Sequence, residues 1–444
     1  MQFYLPTTPI ERLTQPFAKF SKREASSGLV LMFVTVLALA IANSPLGEQY
    51  FGAINTYLKF SVGGAEAKIS VVHFVNDVLM AIFFLMVGLE IKRELITGEL
   101  SNLKAATLPI AAAIGGMIVP AGIYAAINWG KPSIAGWAIP MATDIAFALG
   151  ILSLLSSRVP VSVRVFLAAL AIVDDIGAVI VIGLFFTKSL SLPMLGGAAA
   201  VFALMLGLNS LGARKLGVYW LCFGALWVFI FLSGIHATIA GVLAALAIPA
   251  TSRINAEKFT AEARQLVETV HSAGDNDDDA ILNEEQDTSV RNLEKLCEHV
   301  ATPLQRLEHG LHPWVAFAIM PIFAFCNAGV SLGGGAAIGP ISTGIAAGLF
   351  LGKPLGIMLF VWVAIKLKIA TLPEGVNLSQ IFGAALLAGV GFTMALFISG
   401  LSMPNQMKLD ESKIAILFAS ILAGLAGFMW LYFSSKPQAV QEAN

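Results

Sequence analysis

Apolar runs of about twenty residues, parted by short polar or turn-forming stretches, recur along almost the whole chain. Each is long enough to cross a hydrocarbon layer of roughly 30 Å as a helix. The runs lack the every-second-residue alternation of barrel strands, so helices are the predicted element. Taking each run to its nearest break predicts twelve spans, at 26–43, 71–96, 105–127, 134–155, 161–186, 193–208, 218–232, 236–250, 311–332, 341–365, 381–401 and 414–433. The expected architecture is an all-α polytopic membrane protein of about twelve transmembrane helices. Between 254 and 303 the pattern changes: acidic residues outnumber basic ones about threefold around a DNDDDA cluster. On its flanks Phe259, Leu266, Val267 and Val270, then Val290, Leu293, Leu296 and Val300, recur at helical spacing. Two amphipathic helices around a disordered acidic tip are predicted there.

Composition agrees. With 57% hydrophobic and 12% charged residues and a mean hydropathy of +0.80, the chain has too little polar surface for a soluble globule. A net charge of −1 excludes any bulk electrostatic case for nucleic acid. Cys222, Cys297 and Cys326 stand apart, without metal-ligand spacing, so neither a disulfide framework nor a zinc site is expected, and no cofactor is called for. The first run follows about 25 mostly polar residues and precedes no cleavage pattern, which favours a retained helix over a removed signal.

Twelve spans with a cytoplasmic N-terminus put roughly three quarters of the 27 Lys and Arg on the inside, the distribution expected of an inner-membrane protein with both termini cytoplasmic. The resulting organisation is a cytoplasmic segment 1–25, a first membrane part 26–253 with an outer loop 45–70, an acidic cytoplasmic insertion 254–303, a second membrane part 304–434 and a cytoplasmic tail 435–444. The outer loop contains YFGAINTYLKFSVGG, whose aromatic and β-branched residues and Gly-Gly fit a small hairpin as well as they fit a solvated loop.

Ionisable side chains deep in an apolar span cost several kcal/mol each and mark functional sites by default. Asp174 and Asp175 fall at the middle of the fifth span. Adjacent helical residues project about 100° apart, so one carboxylate can face a water-filled funnel while the other turns to a neighbouring helix. Their oxygens suit a hard cation, and pairing within the bundle is the alternative. Asp144 lies four residues after Pro140 in GWAIPMATDIAFALG, so a broken helix is expected near Thr143 and Asp144. Gly389 and Gly391 loosen the eleventh span, LLAGVGFTMALF, at the corresponding place. The fourth and eleventh spans run in opposite directions, so spans three to five and ten to twelve fit an inverted repeat whose interrupted members cross at an ion site.

Such a crossing gathers two positive helix N-termini and two negative C-termini. Asp144 can answer the first, as a direct ion contact or as a cap alone. Lys353, at the middle of the tenth span, can answer the second, as a fixed counter-charge or as a lysine that pairs with Asp174 and releases a proton. Asp77, in the second span, is a candidate funnel residue or a structural partner. Glu90, Lys92, Arg93 and Glu94 at the inner end of that span, with Glu308, His309 and His312 at the start of the ninth, could gather at one mouth, as a solvated anchor or a pH-sensing cluster. His236, alone between apolar spans, reads as structural.

With these residues in place the chain resembles the NhaA-type sodium/proton antiporters. FFLMVGLEIKREL, PMATDIAFALGIL, AAIVDDIGAVIVI, LEHGLHPWVAFAIMP and GKPLGI occur in family order across nearly all of the membrane part, and that family is itself an example of the inverted-repeat design. The resemblance implies crossed, partly unwound fourth and eleventh helices and a transported-Na+ site at Asp174 and Asp175. It places Thr143 and Asp144 at the crossing, with Lys353 opposite Asp174. It further implies exchange of Na+, and of Li+, for H+ in an electrogenic cycle. pH activation through Glu90, Arg93, Glu94 and Glu308 and a homodimer formed through the outer loop after Pro45 are implied as well. The acidic insertion and the long N-terminus depart from the compact family pattern. Two other functions fit these residues less well. An intramembrane aspartyl protease needs aspartates from different helices, whereas these are adjacent and no GxGD motif occurs. A sodium-coupled symporter of an organic solute lacks an obvious core arginine for an anion.

Overall fold

Apolar sequences with few internal polar groups close their backbone hydrogen bonds within each helix, the arrangement a bilayer demands. The computed structural model describes residues 24–62, 65–187, 190–252, 254–272, 282–331 and 339–435. The N-terminal segment to residue 23, the tail from 436 and the acidic tip at 275–280 lie outside the described residues. The protein is an all-α polytopic membrane protein.

The helices, in chain order, are α1 (Glu24–Ala42), α2 (Gly47–Ile54), α3 (Val71–Thr97), α4 (Leu103–Ile127), α5 (Ile145–Ser153), α6 (Val161–Phe185), α7 (Leu192–Ser210), α8 (Leu216–Ser233), α9 (Ile239–Ala247), α10 (Ala256–Ser272), α11 (Glu284–Val300), α12 (Pro303–Ala328), α13 (Pro340–Lys366), α14 (Leu378–Ala388), α15 (Phe392–Ser402) and α16 (Gln406–Ser434). Among the described residues, nine helical stretches are long and apolar enough to cross a membrane unaided. Two bent pairs, α1 with α2 at 116° and α14 with α15 at 45°, raise this to eleven.

The eighth expected span is the exception in length. Its helix, α9, has nine residues, because Gly234 in the left-handed region (φ 85°) ends α8. Chain turns then occupy His236–Thr238, and Pro249 follows Ile248 at the other end. Lys92 of α3 donates its ammonium to the Leu246 and Ile248 carbonyls at the end of α9, at 2.7 Å to Leu246, where a cation suits the helix dipole.

The outer loop does form a hairpin. Strands Tyr57–Val62 and Ala65–Ser70 pair antiparallel, Tyr57 opposite Ser70, while the Gly-Gly turn lies outside the described residues. The insertion forms two helices, α10 and α11, linked by a hydrogen bond from the Gln286 side chain to the Val270 carbonyl (3.1 Å). Val267, counted with the apolar flank, points outward instead, 54% exposed. Glu298 near the end of α11 meets Arg306 of α12 at 2.9 Å.

Helix starts follow side-chain caps. Asn102, Asn377 and Asn405 accept from backbone N–H groups of α4, α14 and α16, and Thr302 with Gln305 forms a reciprocal box at α12. Spans three to five and ten to twelve share one sequence of forms: continuous, interrupted, continuous. Two glycines set their approach. A Cβ on Gly115 of α4 would lie 2.2 Å from the Gly356 carbonyl oxygen of α13, and one on Gly356 would lie 2.1 Å from that of Gly115. Only backbone can fit between them, and this brings Lys353, one turn before Gly356, against the centre of the bundle.

Candidate functional site

Pro140 cannot donate a backbone hydrogen bond and crowds the preceding turn. Residues Pro132–Met141 accordingly take the narrower 3-10 form, residues 142–144 are extended, and α5 starts at Ile145. In the second half, α14 ends at Ala388, the chain breaks over residues 389–391 and α15 begins at Phe392. The two breaks touch: the Asp144 N–H donates to the Val390 carbonyl at 2.7 Å.

Asp144 lies on both helix N-termini at once. Its Oδ1 accepts from Phe147 N of α5 at 3.0 Å, and its Oδ2 accepts from Thr393 N of α15 at 3.1 Å and from the Thr393 hydroxyl. One carboxylate therefore answers the positive ends of two half-helices from opposite halves of the chain. The C-terminal ends gather the complementary groups. Lys353 Nζ donates to the Met141 carbonyl and stands 2.6 Å from Asp174 Oδ2. The Thr143 hydroxyl is 2.7 Å from Asp174 Oδ2 and 3.0 Å from the Ala388 carbonyl, and with one proton it can donate to either. Lys353 and Asp174 are fully buried. The turn before Lys353, Ala347–Gly352, is a π-helical widening, a distortion that recurs at functional sites.

Asp174 and Asp175 diverge as their helical spacing requires. Asp174 turns to Lys353 and Thr143, and its Oδ1 is buried with no hydrogen-bond partner among the described residues. Asp175 lines a cavity of about 260 Å³ together with Asp144, Thr393, Glu90 and His312. Asp144 thus caps both helices and also lines the cavity. The Asp144, Asp175 and Glu90 carboxylates on the largely apolar cavity wall, with the buried Asp174–Lys353 pair beside it, supply oxygen donors that suit a hard cation or protons.

The charges at the end of α3 are brought to the start of α12. Arg93 bonds Glu308 and lies 3.1 Å from Glu94, while Glu308 Oε2 is buried without a hydrogen-bond partner among the described residues. Glu90 lies one turn deeper, on the cavity wall. His309 takes the Gln305 carbonyl instead (2.7 Å). Asp77 lines a second cavity of about 270 Å³ near the start of α3, with its Oδ1 3.9 Å from His236 Nε2. His236 also meets the Thr238 hydroxyl at 2.9 Å, the structural role expected of it.

Four contributors escaped the sequence reading. Thr393 follows the Gly389–Gly391 break closely, and pairing that break with the Thr143–Asp144 break would have exposed it. Ser420 of α16, whose hydroxyl accepts from Phe392 N at 3.1 Å, carries no such signal. The Met141 and Ala388 carbonyls are backbone and invisible in residue identity.

The chain is similar throughout its length to known transporters. The profile of the family described as Na+/H+ antiporter 1 matches residues 18–431. A protein named Na(+)/H(+) antiporter NhaA from Oleidesulfovibrio alaskensis is 48% identical over 424 residues, covering 95% of this chain and 94% of its own. Proteins of the same name from Sulfurimonas denitrificans and Wolinella succinogenes are 44% and 46% identical, covering 98% and 96% of this chain and 99% and 94% of theirs.

Proposed function

The chain belongs to the Na+/H+ antiporter 1 family and is a secondary transporter, not an enzyme, and we propose that it exchanges Na+ for H+ by competition of the two ions for Asp174 and Asp175. The observation that carries this site is the divergence of the tandem aspartates. Asp175 faces the cavity and Asp174 faces Lys353, leaving one buried Asp174 oxygen without a donor. Sodium can take the carboxylate oxygens only when protons have left them, so the two cargoes exclude one another. If only the sodium-loaded or the protonated site reorients, one gradient drives the other.

In this reading Asp144 and Thr143 hold the crossing, and Lys353 neutralises its negative ends. When sodium draws Asp174 toward itself, the Lys353 pair loosens and the lysine can release a proton, which makes the cycle electrogenic, with more than one proton per sodium. Li+ uses the same oxygens. The Arg93–Glu94–Glu308 network, with Glu90 below it, sits where it can adjust access to the cavity as pH changes. Both termini and the insertion are cytoplasmic, the protein resides in the inner membrane, and the β-hairpin supports a homodimer on the outer face.

Replacing Asp174 or Asp175 by Asn is expected to abolish sodium-dependent proton flux in proteoliposomes while the purified protein stays monodisperse. Retained flux in both variants would defeat the site. Proton release on adding sodium to detergent-solubilised protein separates exchange from sodium-coupled symport, which would release none.

A further inference from the structure

Two cavities approach each other along α15. The inner one is lined by Thr393 and Met394, the other by Phe397, Gly400 and Leu401. Thr393 and Phe397 are four positions apart on the helix, about 6 Å of rise. Phe397 borders the second cavity and packs into a cluster of aromatic rings. It is 2% exposed, with its centroid 5.7 Å from the ring of Phe84 on α3, 6.2 Å from that of Phe323 on α12 and 5.3 Å, edge-on, from that of His236. On α3 the two linings are likewise separate, His73, Asn76 and Asp77 on one cavity and Phe83, Met86, Val87 and Glu90 on the other, with Met80 fully buried between them.

We propose that Phe397 is the outer barrier residue of the transport cycle: its ring, wedged between Phe84 and Phe323, separates the cation cavity from the vestibule that holds Asp77. Desolvation makes the barrier effective, because an apolar constriction excludes water and with it any hydrated ion. Its position makes it responsive. Phe397 stands one turn along from Thr393, whose N–H and hydroxyl both bind Asp144. A shift of α15 that accompanies ion exchange at the crossing therefore carries the ring out of its aromatic slot. The wedge is a positioning residue for the proposed exchange, since its apolar ring offers no donor atom to a cation. The inference rests on the proposed site only for what moves it; the separation of the cavities stands independently.

The test uses full-length protein in proteoliposomes loaded with radioactive sodium at equal pH on both sides. Phe397→Ala is expected to release sodium at least about tenfold faster than the parent without proton movement, and Phe397→Leu to fall between, as a shortened apolar plug should. A second readout places Met394→Cys in a background with Cys222, Cys297 and Cys326 replaced by Ser. A membrane-impermeant thiol reagent added on the hairpin side should label it faster in Phe397→Ala than with Phe397 intact. Unchanged sodium release together with unchanged labelling overturns the proposal. If the alanine protein does not purify as a folded species, the leucine variant decides by the same two measurements. Failure of the ion-site assignment would appear elsewhere, as exchange that survives Asp175→Asn, and would leave the release assay, run without a proton gradient, interpretable.

Discussion

Asp144 and Thr393 are 249 positions apart in the chain, and yet one carboxylate oxygen of Asp144 accepts both the backbone N–H and the hydroxyl of Thr393. The pair joins two broken helices at the N-termini of α5 and α15, next to the proposed ion site.

Removing the hydroxyl tests the joint. Thr393→Val keeps shape and loses one hydrogen bond to a charged group, a bond worth about 1.5–3 kcal/mol when buried. Sodium-dependent proton exchange should fall about tenfold or more, and Thr393→Ser should restore most of it. Fluorescence dequenching of a pH dye in proteoliposomes reads both.

Lys353 and Asp174 form an ion pair with neither side chain exposed. Lys353→Met leaves a carboxylate buried without its counter-charge and should lower stability by about 3–5 kcal/mol. Adding Asp174→Asn to the same protein should recover most of that loss, because no unpaired charge remains. Thermal unfolding followed by size-exclusion chromatography gives the comparison, and equal melting of the single and double variants would contradict it.

Arg93 is partly exposed and holds Glu308 and Glu94 together at the mouth of the cavity. Its replacement by Ala should lower the melting temperature, because the buried Glu308 carboxylate loses its guanidinium partner, and should displace the pH profile of exchange. Lys258→Ala, which removes only an exposed i,i+4 pair of the insertion, is the control and should leave the profile in place.

Gly115 and Gly356 meet backbone to backbone. Gly356→Ala should destabilise the fold by about 1–3 kcal/mol through overpacking and should impair exchange more than stability, because it displaces the helix that carries Lys353. Comparing exchange per folded molecule with Gly400→Ala, where nothing lies near the added carbon, separates the two effects.

Much of this arrangement is legible in the sequence. Ionisable groups in apolar spans are rare enough that Asp144, Asp174, Asp175 and Lys353 identify themselves, and Pro140 and the Gly389–Gly391 pair announce where their helices break. The form of the first break was not legible: a long 3-10 segment differs from an α-helix in winding, not in residue pattern. Nor was the shortness of α9, because apolar residues on either side of a turn extend a hydropathy window whether or not they are helical. The hairpin stayed ambiguous for the converse reason, since a two-stranded ribbon presents too few alternating positions to stand out from a loop. Thr393 was hidden by its ordinariness, as a threonine inside a span becomes informative only when its partner across the fold is known.

The clasp between residues 144 and 390–393 also bears on how the polypeptide can be assembled. Its two sides come from opposite flanks of the acidic insertion, so a protein expressed as two separate pieces, divided between α10 and α11, retains every donor and acceptor of the crossing. Reassociation of such halves would need no covalent link, and complementation in a host lacking its own exchanger would report it.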